Sequence, residues 1–440
     1  MNVCSFKKRG DGFLFFKADF RIGIANFESM SRIRIRNIGP IKSGLLEGDG
    51  FVDIRKVTLL IGNQATGKST LAKLISTLTW MEKVWLRKGF DEKDPELSRR
   101  FVEEFIAYQG LRSYIRPETE IDFEGRYSTI SYHKGKLRIE ALPMKSPRYL
   151  VPKIMYVPAE RNFLSIVENP QKLEGLPRPL YTFLKEYLDT LVGSAEIVRL
   201  PINDLRLEID SLSRLPFIAG QDYRLRLSES SSGLQSSVPL FIVSRWLANT
   251  LGANDDHGRS LLSYETELRM KQELEVLEKA RLAQPQLGFY WNQIISKYSN
   301  TYFFNIVEEM EQNLYPSSQV SLFFSLLSLA NLRVEDQLLL TTHSPYLVNC
   351  LTLAVKAAEV LRLLGSGAAD DALRRDIEKV VPVSAAIGIE DAAVYEFIED
   401  GTIHKLPTYH GLPSDTNLLN QILGQGNRMF DALLDIEEKI

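Results

Sequence analysis

The pattern of apolar and polar residues predicts strands that alternate with helices along much of the chain. Residues 32–37 alternate polar and apolar side chains with a period of two, which is typical of a half-buried strand. Residues 56–61 are apolar almost throughout, as is expected of a strand that is buried on both faces. Similar apolar runs predict buried strands at 153–157, 302–307 and 337–341. We therefore predict an α/β fold with a mostly parallel central sheet.

Antiparallel strands and helical insertions are predicted outside that sheet. Three short runs within 119–142 have the alternation of antiparallel strands, and residues 394–406 resemble a hairpin. Helical insertions are expected at about 81–118, 171–215 and 251–300.

Residues 1–29 precede what reads as the first strand of the core, so we interpret them as an N-terminal extension. An upstream start codon and a real N-terminal arm both remain open as explanations. The core is expected to span residues 30–363, and residues 364–440 are expected to complete it with a further α/β segment.

Composition favours a globular protein of the cytoplasm. The 440 residues are 44% hydrophobic and 25% charged, which is ordinary for such proteins. No apolar run is long enough for a transmembrane helix, and no signal peptide is recognisable, so we expect no membrane contact. Cys4 and Cys350 suggest neither a disulfide framework nor a zinc site. A net charge of −3 argues against a dominant electrostatic grip on nucleic acid.

One loop carries a complete phosphate-binding motif. Residues 62–70, GNQATGKST, match G-x-x-x-x-G-K-[ST] between an apolar strand and a segment with helical spacing. In such loops the backbone N–H groups and the following helix N-terminus point at the phosphates. Lys68 is expected to reach the β- and γ-phosphates of ATP, and Ser69 is expected to ligate Mg²⁺. The predicted nucleotide-binding residues of the loop are Gly62, Asn63, Gln64, Ala65, Thr66, Gly67, Lys68, Ser69 and Thr70.

Two carboxylates and a histidine follow the later apolar strands. Glu308 and Glu309 follow strand 302–307, where one carboxylate can hold Mg²⁺ through water and the next can polarise the attacking water. We assign Glu308 to the metal and Glu309 to catalysis, although two such residues alone could equally begin a solvated turn. His343 follows strand 337–341 and could contact the γ-phosphate. Taken alone, it would be read as a capping or core histidine.

These motifs together resemble the RecF/SMC/OLD branch of ABC ATPases. The resemblance rests on NIGPIK at 37–42, SESSSGLQS at 228–236, EEMEQNLYP at 308–316 and THSP at 342–345. It implies an ABC-type ATPase head that binds Mg·ATP at a composite site between two copies of the chain. It also implies that Lys68 and Glu309 act in hydrolysis and that a switch histidine senses the γ-phosphate.

The segment 228–236 resembles the ABC signature. By that resemblance Ser231, Ser232 and Gly233 would contact the γ-phosphate of ATP bound to the other copy. The signature reads SSGLQ rather than SGGQ, and Met310 replaces the proline that commonly follows the two glutamates.

The chain further resembles the stand-alone ATPase subunits of anti-phage systems such as PARIS and Septu. The stretch after His343 is short and shows no strand-bound D-x-D, so we expect no TOPRIM nuclease within this chain. The resemblance implies a separately encoded effector, expected to be a TOPRIM-type nuclease, and a phage-encoded trigger. Two alternatives stay open: a RecF-like repair ATPase that binds DNA in the presence of ATP, and a scaffold that binds ATP without turnover.

Overall fold

A computed structural model describes eight stretches of the chain. They are residues 31–144, 148–167, 170–195, 197–251, 264–279, 290–291, 294–365 and 367–437. The N-terminal extension predicted at residues 1–29 lies outside the described residues.

Helices separate groups of strands along this length. The strands are β1 (Arg32–Ile38), β2 (Gly44–Leu45), β3 (Val52–Asp53), β4 (Val57–Gly62), β5 (Ile115–Glu124), β6 (Ser128–His133), β7 (Lys136–Ala141), β8 (Pro152–Val157), β9 (Ile197–Arg199), β10 (Arg206–Ile209), β11 (Pro216–Ala219), β12 (Arg224–Arg226), β13 (Tyr302–Glu308), β14 (Gln337–Thr342), β15 (Ala392–Phe397), β16 (Thr402–Lys405), β17 (Thr408–Tyr409) and β18 (Leu412–Pro413). The α-helices are α1 (Lys68–Leu86), α2 (Leu97–Arg100), α3 (Phe163–Ile166), α4 (Arg178–Gly193), α5 (Ser232–Thr250), α6 (Tyr264–Lys279), α7 (Pro316–Ala330), α8 (Pro345–Leu363), α9 (Ala368–Val380) and α10 (Leu418–Glu437). A π-helical turn, Phe101–Ile106, continues α2.

A seven-stranded sheet forms the centre, in the order β2-β16-β15-β4-β14-β13-β8. Strand β4 pairs in parallel with β14 and β15, and β13 pairs in parallel with β14 and β8. Strand β16 runs antiparallel to β15, as the predicted hairpin requires. An antiparallel sheet of five strands, β3-β1-β5-β6-β7, contains the three runs predicted within 119–142. The predicted α/β class, with its mostly parallel sheet and antiparallel β subdomain, is confirmed.

The central strands are continuously apolar because each face of the sheet is covered by a separate core. Every residue of β4 is buried. Leu59 and Ile61 join a core built with α5, α7 and α8. Leu60 points the other way, into a core built with α1 and the five-stranded sheet. Since successive side chains of a strand alternate between faces, one short segment stabilises both layers.

The insertion predicted as helical at 171–215 is only partly helical. Helix α4 occupies its first part, but β9 and β10 follow, and they join β11 and β12 in a four-stranded antiparallel sheet. Residues 206–209 have the two-residue repeat of a strand, since Leu207 and Ile209 are buried while Arg206 is exposed.

The other two predicted insertions contain helices. The one at 81–118 contains the end of α1, α2 and the π-helical turn, but its last residues belong to β5. Of the insertion expected at 251–300, the described part contains α6, while 252–263 and 280–289 lie outside the described residues. Among the helices that the structure describes, none combines the length and the apolar character needed to cross a bilayer.

Candidate active site

The loop after β4 has the backbone that the phosphate-binding motif requires. Gly62 and Gly67 have φ angles of 144° and 108°, a region that side chains rarely adopt. A Cβ atom on Gly67 would lie 2.5 Å from Cγ1 of Ile41, and one on Gly62 would lie 2.5 Å from the carbonyl oxygen of Phe397. Both glycines are therefore required by space as well as by backbone conformation.

The side chain of Lys68 is hydrogen-bonded to the backbone of this loop. Its Nζ donates hydrogen bonds to the carbonyl oxygens of Gly62, at 2.9 Å, and Asn63, at 2.7 Å. The same Nζ lies 3.4 Å from Nδ1 of His343. Burial lowers the pKa of Lys68 to about 8, although the nearby carboxylates of Glu309 and Glu311 raise it in part. The ammonium therefore has neutral carbonyl oxygens as its partners. An anionic phosphate oxygen would bind it more strongly and could take their place.

The N-terminus of α1 is open to an anion. Gly67 caps the helix without a side-chain hydrogen bond, and the first turn contains no acidic residue. The first N–H groups of a helix have no partner within it, and they form the positive end of its dipole. Phosphate binding here is therefore favoured by the helix as well as by Lys68.

A cleft of about 550 Å³ opens at this loop. It brings the phosphate loop together with both residues predicted to act on the γ-phosphate and the water. The residues that line it are Gly39, Pro40, Gln64, Ala65, Gly67, Lys68, Ser69, Thr70, Ser113, Tyr114, Arg116, Glu309 and His343.

Glu309 leaves strand β13 through a left-handed turn of the backbone, with φ at 43°. Its N–H donates to the carbonyl oxygen of Thr341 at 3.0 Å. Its Oε1 lies 3.4 Å from Nε2 of His343. The hydrogen bond with His343 lowers the pKa of the Glu309 carboxyl, so this group is an ionised carboxylate at neutral pH. An ionised carboxylate beside the phosphate loop is the state that a water-polarising base needs.

Glu308, the last residue of β13, is 4% exposed. Its Oε2 accepts a hydrogen bond from the N–H of Ala159 at 3.3 Å, whereas its buried Oε1 has no hydrogen-bond partner among the described residues. A buried carboxylate oxygen without a partner is costly, and a hydrated Mg²⁺ would satisfy it. Glu308 is not among the residues that line the cleft, so it could hold Mg²⁺ there through water rather than directly, whereas Ser69, which lines the cleft, could offer its hydroxyl as a direct ligand.

Arg161 was not singled out from the sequence, yet it fixes the end of β13. It is completely buried, and its guanidinium donates to the carbonyl oxygens of Glu308 at 2.6 Å and Glu309 at 2.7 Å. Further bonds reach the carbonyl oxygens of Pro158 and Ser236. Burial lowers the pKa of Arg161 to about 10, which leaves it charged at neutral pH. The sequence signal was the segment YVPAER at 156–161, which begins at the end of the buried strand β8.

Glu311 is a second residue whose role the sequence did not reveal. Its Oε1 accepts hydrogen bonds from the hydroxyl of Thr342 and from the N–H of His343, both at 2.7 Å. It therefore positions the histidine between Lys68 and Glu309. The sequence signal for Glu311 was its place in the motif EEMEQ at 308–312.

The signature-like residues lie apart from this cleft. Ser231 caps α5, and Ser232 and Gly233 form its start. A Cβ atom on Gly233 would lie 2.6 Å from the carbonyl oxygen of Asn313, so the start of α5 packs closely on the segment after Glu309. None of these three described residues lines the cleft at the phosphate loop.

No protein-family model matches the chain. No curated protein matches it either. Among solved structures, an SMC head domain from Thermotoga maritima matches at 10% identity, covering 87% of this chain and 99% of that chain, with a TM-score of 0.35. An Smc head domain with an extended coiled coil bound to the C-terminal domain of ScpA, derived from Pyrococcus furiosus, matches at 6% identity. That match covers 92% of this chain and 99% of the other, with a TM-score of 0.36.

A third match is a dimeric ATP-binding cassette in a post-hydrolysis state with ADP and Pi. It is 11% identical, covers 86% of this chain and 100% of that chain, and has a TM-score of 0.23. These identities and TM-scores are too low to assign a role to any residue of this chain.

Proposed function

We propose that this protein is a Mg²⁺-dependent ATPase of the ABC/SMC type. The observation that carries the proposal is the row formed by Lys68, His343 and Glu309. Contacts of 3.4 Å join Lys68 Nζ to one nitrogen of the imidazole and Glu309 Oε1 to the other. A histidine placed between the phosphate-binding lysine and the catalytic carboxylate is suited to respond to the γ-phosphate.

The chain's own groups divide the work of hydrolysis. Lys68 and the N–H groups at the start of α1 hold the phosphates of ATP. Glu309 accepts a proton from the attacking water as its oxygen bonds to the γ-phosphorus, and the bond from that phosphorus to ADP breaks. Mg²⁺, held by Ser69 and through water by Glu308, would neutralise charge on the β- and γ-phosphate oxygens. Most of the acceleration comes from positioning and charge stabilisation.

The proposed site is completed by a second copy of the chain. Ser231, Ser232 and Gly233 begin a 19-residue helix whose first turn contains no acidic side chain and whose cap makes no side-chain hydrogen bond. Such an end is suited to a γ-phosphate, yet these residues lie outside the cleft of their own chain. A head-to-head dimer would bring each signature to the partner's phosphate loop, and closure of this dimer would limit unstimulated turnover.

Mixing two inactive variants tests the composite site. Lys68→Ala and Ser232→Arg should each be nearly inactive alone. In an equal mixture about half of the dimers contain one copy of each variant. Each of these mixed dimers has one intact site and one doubly defective site. About a quarter of wild-type turnover should therefore return. The measurement is phosphate release from ATP at a fixed total protein concentration.

The matched control is Ser321→Arg, which places the same side chain at an exposed serine of α7. It should keep wild-type turnover. A mixture no more active than the two variants measured separately would mean that each site is complete within one chain.

We further propose that the ATPase is the sensor and scaffold of a bacterial anti-phage system. In this role it controls a separately encoded effector, a TOPRIM-type nuclease, and responds to a phage-encoded trigger. A supporting feature is the last helix, α10, which exposes an apolar run suited to protein contact. The exposed residues are Met429, Phe430, Leu433, Leu434 and Ile436.

Co-purification with the products of the neighbouring genes tests this role. With Mg·ATP present, a smaller protein should elute with the tagged chain in a stoichiometric amount. Phe430→Asp should abolish co-elution without loss of ATP turnover, because it places a charge in the apolar run. Tyr181→Asp, at another exposed aromatic residue, should have no effect.

Two other outcomes would replace this role. Elution of the ATPase alone with bound DNA would favour the RecF-like repair ATPase. ATP binding without phosphate release, in every preparation that retains a partner, would favour the non-catalytic scaffold.

A further inference from the structure

A second cavity, of about 520 Å³, lies between the middle of α1, the π-helical turn, β8 and the start of α4. It shares no lining residue with the cleft at the phosphate loop. Its walls include the rings of Trp80 and Phe105, which meet edge to face with their centroids 5.3 Å apart. Met155 of β8 adds a further apolar surface. The cavity is therefore suited to a flat ring of modest size.

Two residues that line this cavity each have a polar atom without a hydrogen-bond partner among the described residues. These atoms are Oε1 of Gln109 and the hydroxyl oxygen of Tyr156. Gln109 is 5% exposed and Tyr156 is 6% exposed, so neither group is well placed to be satisfied by bulk water. Buried polar groups are rarely left unpaired in folded proteins, because each one loses its hydrogen bonds to water. This pair is therefore an indication of a ligand.

The local backbone and the mouth of the cavity agree with a binding site. Phe105 belongs to the π-helical turn, an element that is rare and often found at functional sites. At the mouth, the hydroxyls of Tyr108 and Thr182 are 2.6 Å apart and join the two walls. Trp80 is 41% exposed and can cover a ring that enters.

We propose that this cavity binds a nucleobase, presented as a nucleoside. The ring would lie against Trp80 and Phe105, with one of its N–H groups donating to Oε1 of Gln109 and one of its acceptors facing the hydroxyl of Tyr156. An aliphatic ligand would leave both polar groups unpaired. A nucleobase is neutral, stacks on aromatic side chains and carries both donors and acceptors around its edge.

Nucleoside binding at this cavity does not depend on the proposed ATPase activity. An effect of that binding on ATP turnover does rest on the proposed function. Tyr156 also lies close to the carboxylate of Glu308, although their oxygens do not meet hydrogen-bond geometry. A ligand that pairs with the Tyr156 hydroxyl would change the surroundings of the carboxylate assigned to Mg²⁺. Nucleoside binding is therefore expected to alter ATP turnover.

Titration calorimetry on the full chain with adenosine, guanosine, cytidine and uridine tests the proposal. These probes contain no phosphate, so they do not engage Lys68. At least one should bind saturably with one site per chain. Gln109→Leu and Tyr156→Phe, which remove polar atoms and keep size, should each weaken that binding by about tenfold or more. Lys68→Ala should bind the nucleoside as the wild type does.

Gln221→Leu and Tyr132→Phe are the matched controls, since neither residue lines the cavity. Both should keep wild-type affinity, and thermal melting should show that all variants fold. The proposal is overturned if none of the four nucleosides binds saturably, or if binding is unaffected by both cavity variants. Binding without any change in ATP turnover would contradict only the coupling to Glu308.

Discussion

Glu309→Gln should lower ATP turnover by about 10²- to 10⁴-fold while ATP binding is retained. The amide keeps the size of the side chain but cannot accept the proton of the attacking water. Because Lys68 and the start of α1 are unchanged, the nucleotide should stay bound. Phosphate release gives the turnover, and light scattering with Mg·ATP should show a persistent dimer.

Glu359→Gln provides the control, since it makes the same change at an exposed glutamate of α8 whose partner is Lys356. Its turnover should equal that of the wild type. Equal turnover by Glu309→Gln would show that another group activates the water, and the base would have to be reassigned.

Lys68→Ala should weaken ATP binding by about a hundredfold or more, because it removes a charge-assisted partner of the phosphates. The lysine should also give binding a characteristic pH dependence. Burial lowers its pKa to about 8, and bound phosphate favours the protonated form, so phosphate binding takes up protons near this pH. Wild-type affinity should therefore fall as pH rises through about 8, as measured with a fluorescent ATP analogue.

The alanine variant should lack this step in its pH profile. Lys73→Ala, five residues further along α1, should behave as the wild type does. If Lys68→Ala kept both the affinity for ATP and the pH step, the phosphates would have to bind elsewhere.

The sequence predicted the centre of the molecule well because local constraints there are strong. Strand β4 is apolar at nearly every position, since both of its faces are buried. The glycines at 62 and 67 are required by backbone angle and by space, so the loop has a recognisable pattern. Glu309 and His343 could be expected near the loop because parallel strands deliver their C-terminal ends to the same edge of a sheet.

The parts that escaped prediction depend on distant contacts or on very short elements. Strand β9 has three residues, too few for an alternating pattern to stand out. Arg161 has its role through the carbonyl oxygens of Glu308 and Glu309, which are about 150 positions away in the chain.

The left-handed backbone at residue 309 has a consequence for the variants that this position can tolerate. Glycine, asparagine and aspartate enter that conformation most readily, whereas β-branched residues are strained there. In a saturation library at this codon, variants with glycine, asparagine or aspartate should accumulate but lack activity. Variants with valine or isoleucine should accumulate poorly. Inheritance at this codon would then reflect selection on conformation as well as on chemistry.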